Sequence, residues 1–133
     1  MQTIADIETG RLGIPNVSIC IEDLRTGVRG HYVHSTRTVS INSDYIKNPD
    51  IAKTVLHEVY HAFQFSLVEA YEAVPPEYKS LKIFESARTY RFELSNYIEA
   101  HLNYDQYVEQ QCEQDCRDYS QDRWADYIRI LSW

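Results

Sequence analysis

The sequence predicts an α+β protein in which a small N-terminal sheet is followed by three to four helices. Before Pro49, short stretches with apolar residues at alternate positions are separated by turn residues, which is typical of strands. After Pro49, apolar residues recur at the spacing of amphipathic helices almost to the end of the chain. A length of 133 residues is that of one ordinary domain, so we expect a single domain over residues 1–133.

Three strands are expected in the N-terminal part. Residues 17–21 and 38–42 alternate with period two, and residues 30–33 follow a turn signal at Gly27. Connections this short favour an antiparallel meander over parallel crossovers, so we expect an antiparallel or mixed sheet.

The helical part begins at Asn48-Pro49-Asp50, where a helix over residues 50–73 is expected to end before Pro75. A second helix is predicted over residues 77–102. Apolar residues then recur at positions 104, 107, 108, 112, 116 and 119, and again at 124, 127, 128 and 131, which predicts two further helical segments. Cys112 and Cys116 share the first of these stripes, so we expect both to be packed in the core.

Charge and composition exclude several partners. The net charge is −7, and an acidic surface repels phosphate backbones, so nucleic acid is not an expected partner. The first 13 residues lack the apolar region of a signal peptide, and no stretch reaches the roughly 18 apolar residues of a membrane span. Three scattered cysteines favour a reducing cytoplasm over a disulfide framework.

Residues 57–61 form an H-E-x-x-H motif inside a predicted helix. His57 and His61 are four residues apart, so their imidazoles lie about one turn apart and can bind the same metal ion. Glu58 is rotated by about 100° from His57, where its carboxylate can reach a water on that metal without binding the metal itself. The motif also arises by chance, and its position on an amphipathic helix after an alternating strand is what makes it informative.

The order of strands, an H-E-x-x-H helix and a later helix bearing an acid resembles the zincin metallopeptidases. It is most similar to the compact gluzincin-type peptidases of bacteria and phages, in which a downstream helix carries a Glu in an E-x-x-A or E-x-[DE]-A pattern. Residues 113–116, with the sequence E-Q-D-C, match that pattern, and Cys116 stands at the position of the small Ala.

This resemblance implies a zinc-dependent enzyme that acts on a peptide or protein substrate. The cofactor would be Zn²⁺, held by His57, His61 and Glu113. Glu58 would then be the general base in the hydrolysis of peptide bonds.

The residues themselves leave the third ligand open, since Glu85 and Glu93 on the second predicted helix compete with Glu113. We favour Glu113, because it flanks the apolar stripe that contains Cys112 and Cys116 and so lies at the edge of the expected core.

A second interpretation is a regulatory or protein-binding module on a zincin scaffold, with little or no hydrolytic activity. A chain of 133 residues leaves little material for a substrate-binding lobe, so a protein partner or a homo-oligomer could complete the cleft. A third interpretation is a structural zinc site, in which protein ligands fill every position. The intact Glu58 favours the enzyme, because neither alternative needs a general base.

Overall fold

A computed structural model describes residues 1–131 and confirms the predicted α+β class. A helix precedes the sheet, and four helices follow it. The elements are α1 (Gln2–Leu12), β1 (Ser18–Glu22), β2 (Gly30–Val33), β3 (Thr38–Asn42), α2 (Ile51–Ala73), α3 (Glu85–Ser95), α4 (Tyr104–Glu109) and α5 (Gln111–Leu131).

The strands lie within one residue of their predicted bounds, but the antiparallel meander is wrong. The strand order is β1-β3-β2, with β1 parallel and β2 antiparallel to β3, so the sheet is mixed. The short β2–β3 connection determines only that these two strands form a hairpin. Four of the five residues of β3 are buried, which is why this strand takes the central position with a neighbour on each side.

The helix predicted over residues 50–73 is confirmed as α2, whereas the helix predicted over 77–102 is wrong. Residues 76–78 and 82–84 form 3₁₀ turns, and α3 ends before Asn96, whose side chain donates to the carbonyl of Phe92 at 2.9 Å. Near the end of the chain, α4 and α5 are separated at Gln110, and α5 then runs on through the predicted closing segment. Within residues 1–131, no helix has both the length and the apolar character needed to cross a membrane.

No helix is predicted before the first strand, yet α1 is present. Its sequence lacks an apolar stripe, and long-range contacts hold it in place. The side chain of Gln2 accepts a hydrogen bond from the backbone N–H of Ile19 at 2.9 Å and donates to the carbonyl of Val17 at 2.8 Å. The helix ends at Gly13, which adopts the left-handed conformation with φ of 70° that glycine permits.

The described chain divides into two compact units. The first unit comprises residues 1–63 and 116–131, and the second comprises residues 64–115. The expectation of a single domain stays a prediction. The core of the first unit forms between one face of α2, the central strand and α1; its buried members are Ala5, Val17, Val39, Ile41, Val55, Val59 and Ala62.

Gly30 brings β2 close to α2 within the first unit. A Cβ atom at this position would lie 2.9 Å from Cγ2 of Thr54 and 2.9 Å from the carbonyl oxygen of Ser40. Any larger residue would therefore push the strand away from the helix.

Glu8 on α1 is a fully buried carboxylate in the first unit, and α5 surrounds it with donors. The Tyr119 hydroxyl and Nε of Arg123 each donate to its Oε1 at 2.6 Å. Nη2 of Arg123 and the Tyr127 hydroxyl donate to Oε2 at 3.2 and 3.1 Å. Burial alone would raise the pKa of Glu8, but the hydrogen bonds from Arg123 and Tyr119 outweigh it and lower that pKa. This cluster fastens α5 to α1.

We predict that Glu8→Gln lowers the free energy of unfolding by about 1–3 kcal/mol, because the amide removes a buried charged acceptor from the hydroxyl and guanidinium donors, while Arg123 keeps its ion pair with Asp126 at 2.7 Å. Urea denaturation followed by circular dichroism measures the change. Glu22→Gln, which removes an exposed carboxylate from β1, is the control and should change stability by no more than about 0.5 kcal/mol. Equal losses in the two variants would contradict a stabilising role for the cluster.

The lowered pKa of Glu8 also predicts how its contribution depends on pH. Because the folded-state pKa lies below the ordinary value of 4.5, the stabilisation is complete above that value and is lost as the pH falls through the folded-state pKa. The difference in unfolding free energy between the parent and Glu8→Gln should therefore shrink as urea denaturation is repeated from pH 7 towards pH 3. A difference that stays constant or grows over this range would show that Glu8 is not stabilised as a carboxylate.

Candidate metal centre

The H-E-x-x-H motif lies in the part of α2 that belongs to the first unit. Val55 and Val59 are fully buried in the core. His57 and His61 each follow one of them by two residues, which rotates the imidazoles about 200° around the helix, away from the core face. The two ring centroids are 5.1 Å apart with an interplanar angle of 67°, so the predicted one-turn arrangement is present.

A third donor meets the two imidazoles within the same unit. A ring nitrogen of His57, a ring nitrogen of His61 and Sγ of Cys116 all lie within 4.8 Å of one another. Cys116 is fully buried, His61 is 8% exposed and His57 is partly exposed. Within residues 1–131, this is the group of histidine, cysteine and acidic side chains that could hold a metal ion.

Neighbours of Cys116 on α5 make aromatic and polar contacts that set the rotation of this helix. The rings of Tyr60, next to His61, and Tyr119, one turn after Cys116, lie with their centroids 4.6 Å apart. Cys116 and Arg123 are seven residues apart on α5, so they share one face of the helix to within about 20°. The contacts of Arg123 with Glu8 therefore also orient Cys116.

Glu58 lies on the same turn of α2 as His57 and is 7% exposed. A buried carboxylate is suited to moving protons, because little bulk water competes for it.

Glu113, the third ligand that the resemblance implies, lies in the second unit and is fully buried. The hydroxyl of Tyr97 donates a short hydrogen bond to its Oε1, and that of Tyr107 donates to Oε2 at 3.1 Å. The two tyrosine rings are nearly perpendicular, with centroids 6.3 Å apart. The role of Glu113 as a metal ligand stays a prediction.

Glu93 and Glu85, the alternative candidates for the third ligand, also lie in the second unit. Glu93 accepts the backbone N–H of Gln111 at 2.7 Å and that of Cys112 at 2.8 Å, so its carboxylate caps the N-terminus of α5. Glu85 is the first residue of α3 and is exposed to solvent.

Cys116 is the site residue that the sequence argument missed. Its burial, like that of Cys112, is confirmed, but its position beside the two histidines was not expected. The sequence did contain a signal, because cysteine is a residue type that binds zinc.

Two imidazole nitrogens and a sulfur are donors that Zn²⁺ accepts, so the residues present fit the ion that the resemblance implies. Calcium and magnesium ions prefer oxygen donors and fit this group poorly. Comparison of the chain with protein-family models, with curated proteins and with solved structures finds no match, so these side chains are the basis for any functional conclusion.

Proposed function

We propose that the protein is a zinc-dependent peptidase in which Glu58 is the general base. The observation that carries the proposal is the convergence of His57, His61 and Cys116 within 4.8 Å, together with the buried Glu58 one residue after His57. A structural zinc site would not need Glu58, because such sites use four protein ligands and activate no water.

His57 and His61 would hold the ion through neutral imidazoles from one face of α2. Bound zinc would polarise the carbonyl of a peptide and lower the pKa of a water molecule towards about 7. A single rigid helix presents both imidazoles, so their spacing is set before any ion binds.

Glu58 would move the proton that hydrolysis requires. Its carboxylate accepts a proton from the attacking water as the new carbon–oxygen bond forms, and then donates it to the amine nitrogen as the carbon–nitrogen bond breaks. The reaction consumes one water molecule and leaves Glu58 ionised again, so the residue is a catalyst and not a reactant.

The substrate that fits this chemistry is a peptide or protein. The net charge of −7 favours basic substrates only weakly at physiological ionic strength. All three cysteines are thiols, which suits the reducing cytoplasm in which we place the protein.

Exposed apolar side chains of the second unit favour one other candidate, a regulatory protein-binding module. Ile83, Phe92 and Leu102 are 71%, 70% and 74% exposed. Large apolar side chains at a surface are typical of contacts with another protein chain, whether a partner or a second copy.

We predict that the purified protein binds one zinc ion per chain and loses it to a chelator. His57→Ala should abolish stoichiometric binding, because a single imidazole from α2 would remain. His31→Ala is the matched control, since His31 lies on β2 and outside the donor group. Elemental analysis after metal reconstitution measures the content, and equal zinc in the parent and His57→Ala would contradict the proposed centre.

We predict that Glu58→Gln keeps the fold and the zinc content but lowers peptide cleavage by roughly a hundredfold to ten-thousandfold, because an amide accepts no proton. The measurement is the cleavage of a peptide library, with Glu69→Gln, an exposed change on the same helix, as the control.

Two results would count against this assignment. Loss of zinc from Glu58→Gln would make Glu58 a ligand or a structural residue. A zinc-loaded parent that cleaves no member of a broad library would favour the protein-binding module.

A further inference from the structure

We propose that Cys116, as a thiolate, is the third protein ligand of a centre that it forms with His57 and His61 and that takes thiophilic divalent cations. This inference rests on the metal centre of the proposed function and deepens it. It differs from the assignment of Glu113 that the family resemblance implies.

The separation of the donor atoms suits one ion. Tetrahedral zinc has Zn–N distances of about 2.0–2.1 Å and a Zn–S distance of about 2.3 Å, which places neighbouring donors roughly 3.4–3.6 Å apart. The three donors already lie within 4.8 Å of one another. Small rotations of three side chains are therefore enough to close the site, without movement of α2 or α5.

Burial leaves one side of the centre open. Cys116 is fully buried and His61 nearly so, whereas His57 is partly exposed. The sulfur of Cys116 is thus shielded from solvent, whereas solvent can reach His57. Three protein ligands with one accessible position are the arrangement of catalytic zinc sites, in which water or substrate takes the fourth place.

The charge of the centre would not depend on whether sulfur or carboxylate is the third ligand. Two neutral imidazoles and one thiolate around a divalent cation leave a formal charge of +1, as two imidazoles and one carboxylate would. On binding, the S–H bond of Cys116 is replaced by a sulfur–metal bond, and the proton passes to solvent. A thiolate can therefore take the place of the expected acid without removing the positive charge that polarises a carbonyl.

Both carboxylate oxygens of Glu113 accept hydrogen bonds from tyrosine hydroxyls of the second unit. Sulfur also selects the ion more strongly than oxygen does: thiolate and imidazole ligands suit Zn²⁺, whereas Mg²⁺ and Ca²⁺ prefer oxygen.

Cobalt(II) titration of the chelator-stripped, full-length protein tests this inference, because a thiolate on Co²⁺ gives a charge-transfer absorption in the near ultraviolet and a carboxylate does not. We expect this band in the parent, in Cys112→Ser and in Glu113→Gln. Cys112→Ser is the matched control, since Cys112 is equally buried and lies one turn earlier on the same helix. Cys116→Ser should lose the band and bind Co²⁺ more than about 100-fold more weakly, since even second-shell changes cost up to that amount.

A variant with one cysteine keeps the test decisive if Cys116→Ser does not fold. In Cys20→Ser/Cys112→Ser the only remaining thiol is Cys116, so a band that persists there must come from Cys116. The inference would be overturned if the parent showed the visible bands of bound Co²⁺ but no charge-transfer band. Loss of the visible bands in Glu113→Gln would then identify the carboxylate of Glu113 as the ligand. Failure of the parent to bind Co²⁺ would also overturn it.

Peptide cleavage by the zinc-loaded parent, recorded separately, distinguishes this inference from the proposed function. Cleavage without the thiolate band would overturn the role of Cys116 and leave the peptidase intact. The thiolate band without cleavage would support the ligand and count against the peptidase.

Discussion

The buried ion pair between Glu8 and Arg123 is the interaction on which the first unit depends most. A carboxylate without solvent contact is costly unless donors surround it, and α5 supplies an arginine and two tyrosine hydroxyls for this purpose. Since Arg123 lies on the same face of α5 as Cys116, the rotation of α5 that satisfies Glu8 also directs the thiol inward. A contact between residues 115 positions apart in sequence therefore helps to set the position of the thiol that lies beside the two imidazoles.

The apolar face of α2 supplies the second constraint. Val55 and Val59 pack in the core with Val39 and Ile41 of the central strand, and this packing leaves the imidazoles of the same helix on another side. The glycine at position 30 lets β2 approach α2 closely, which keeps the helix against the sheet. The two histidines thus lie on a helix whose rotation is fixed by the burial of its apolar face.

The chemistry of the candidate centre separates into a part that depends on the third ligand and a part that does not. Under the proposed function, the pair of imidazoles on α2 and the buried carboxylate of Glu58 would support metal-assisted hydrolysis whichever group completes the coordination. A thiolate and a carboxylate differ in the cations that they favour, and the sulfur of Cys116 is the donor that lies with the two imidazoles.

Local periodicity was enough to predict the three strands, α2 and the one-turn spacing of His57 and His61, because each depends on residues close together in the sequence. Only the tertiary structure decided three other features: the strand order, the presence of α1 and the proximity of Cys116 to the two histidines. Helix α1 has no regular apolar stripe, and the burial of Ala5, the contacts of Gln2 with the backbone near β1 and those of Glu8 with α5 stabilise it. Such contacts join residues far apart along the chain, so no local pattern carries them, and only the folded chain determines which distant side chains meet.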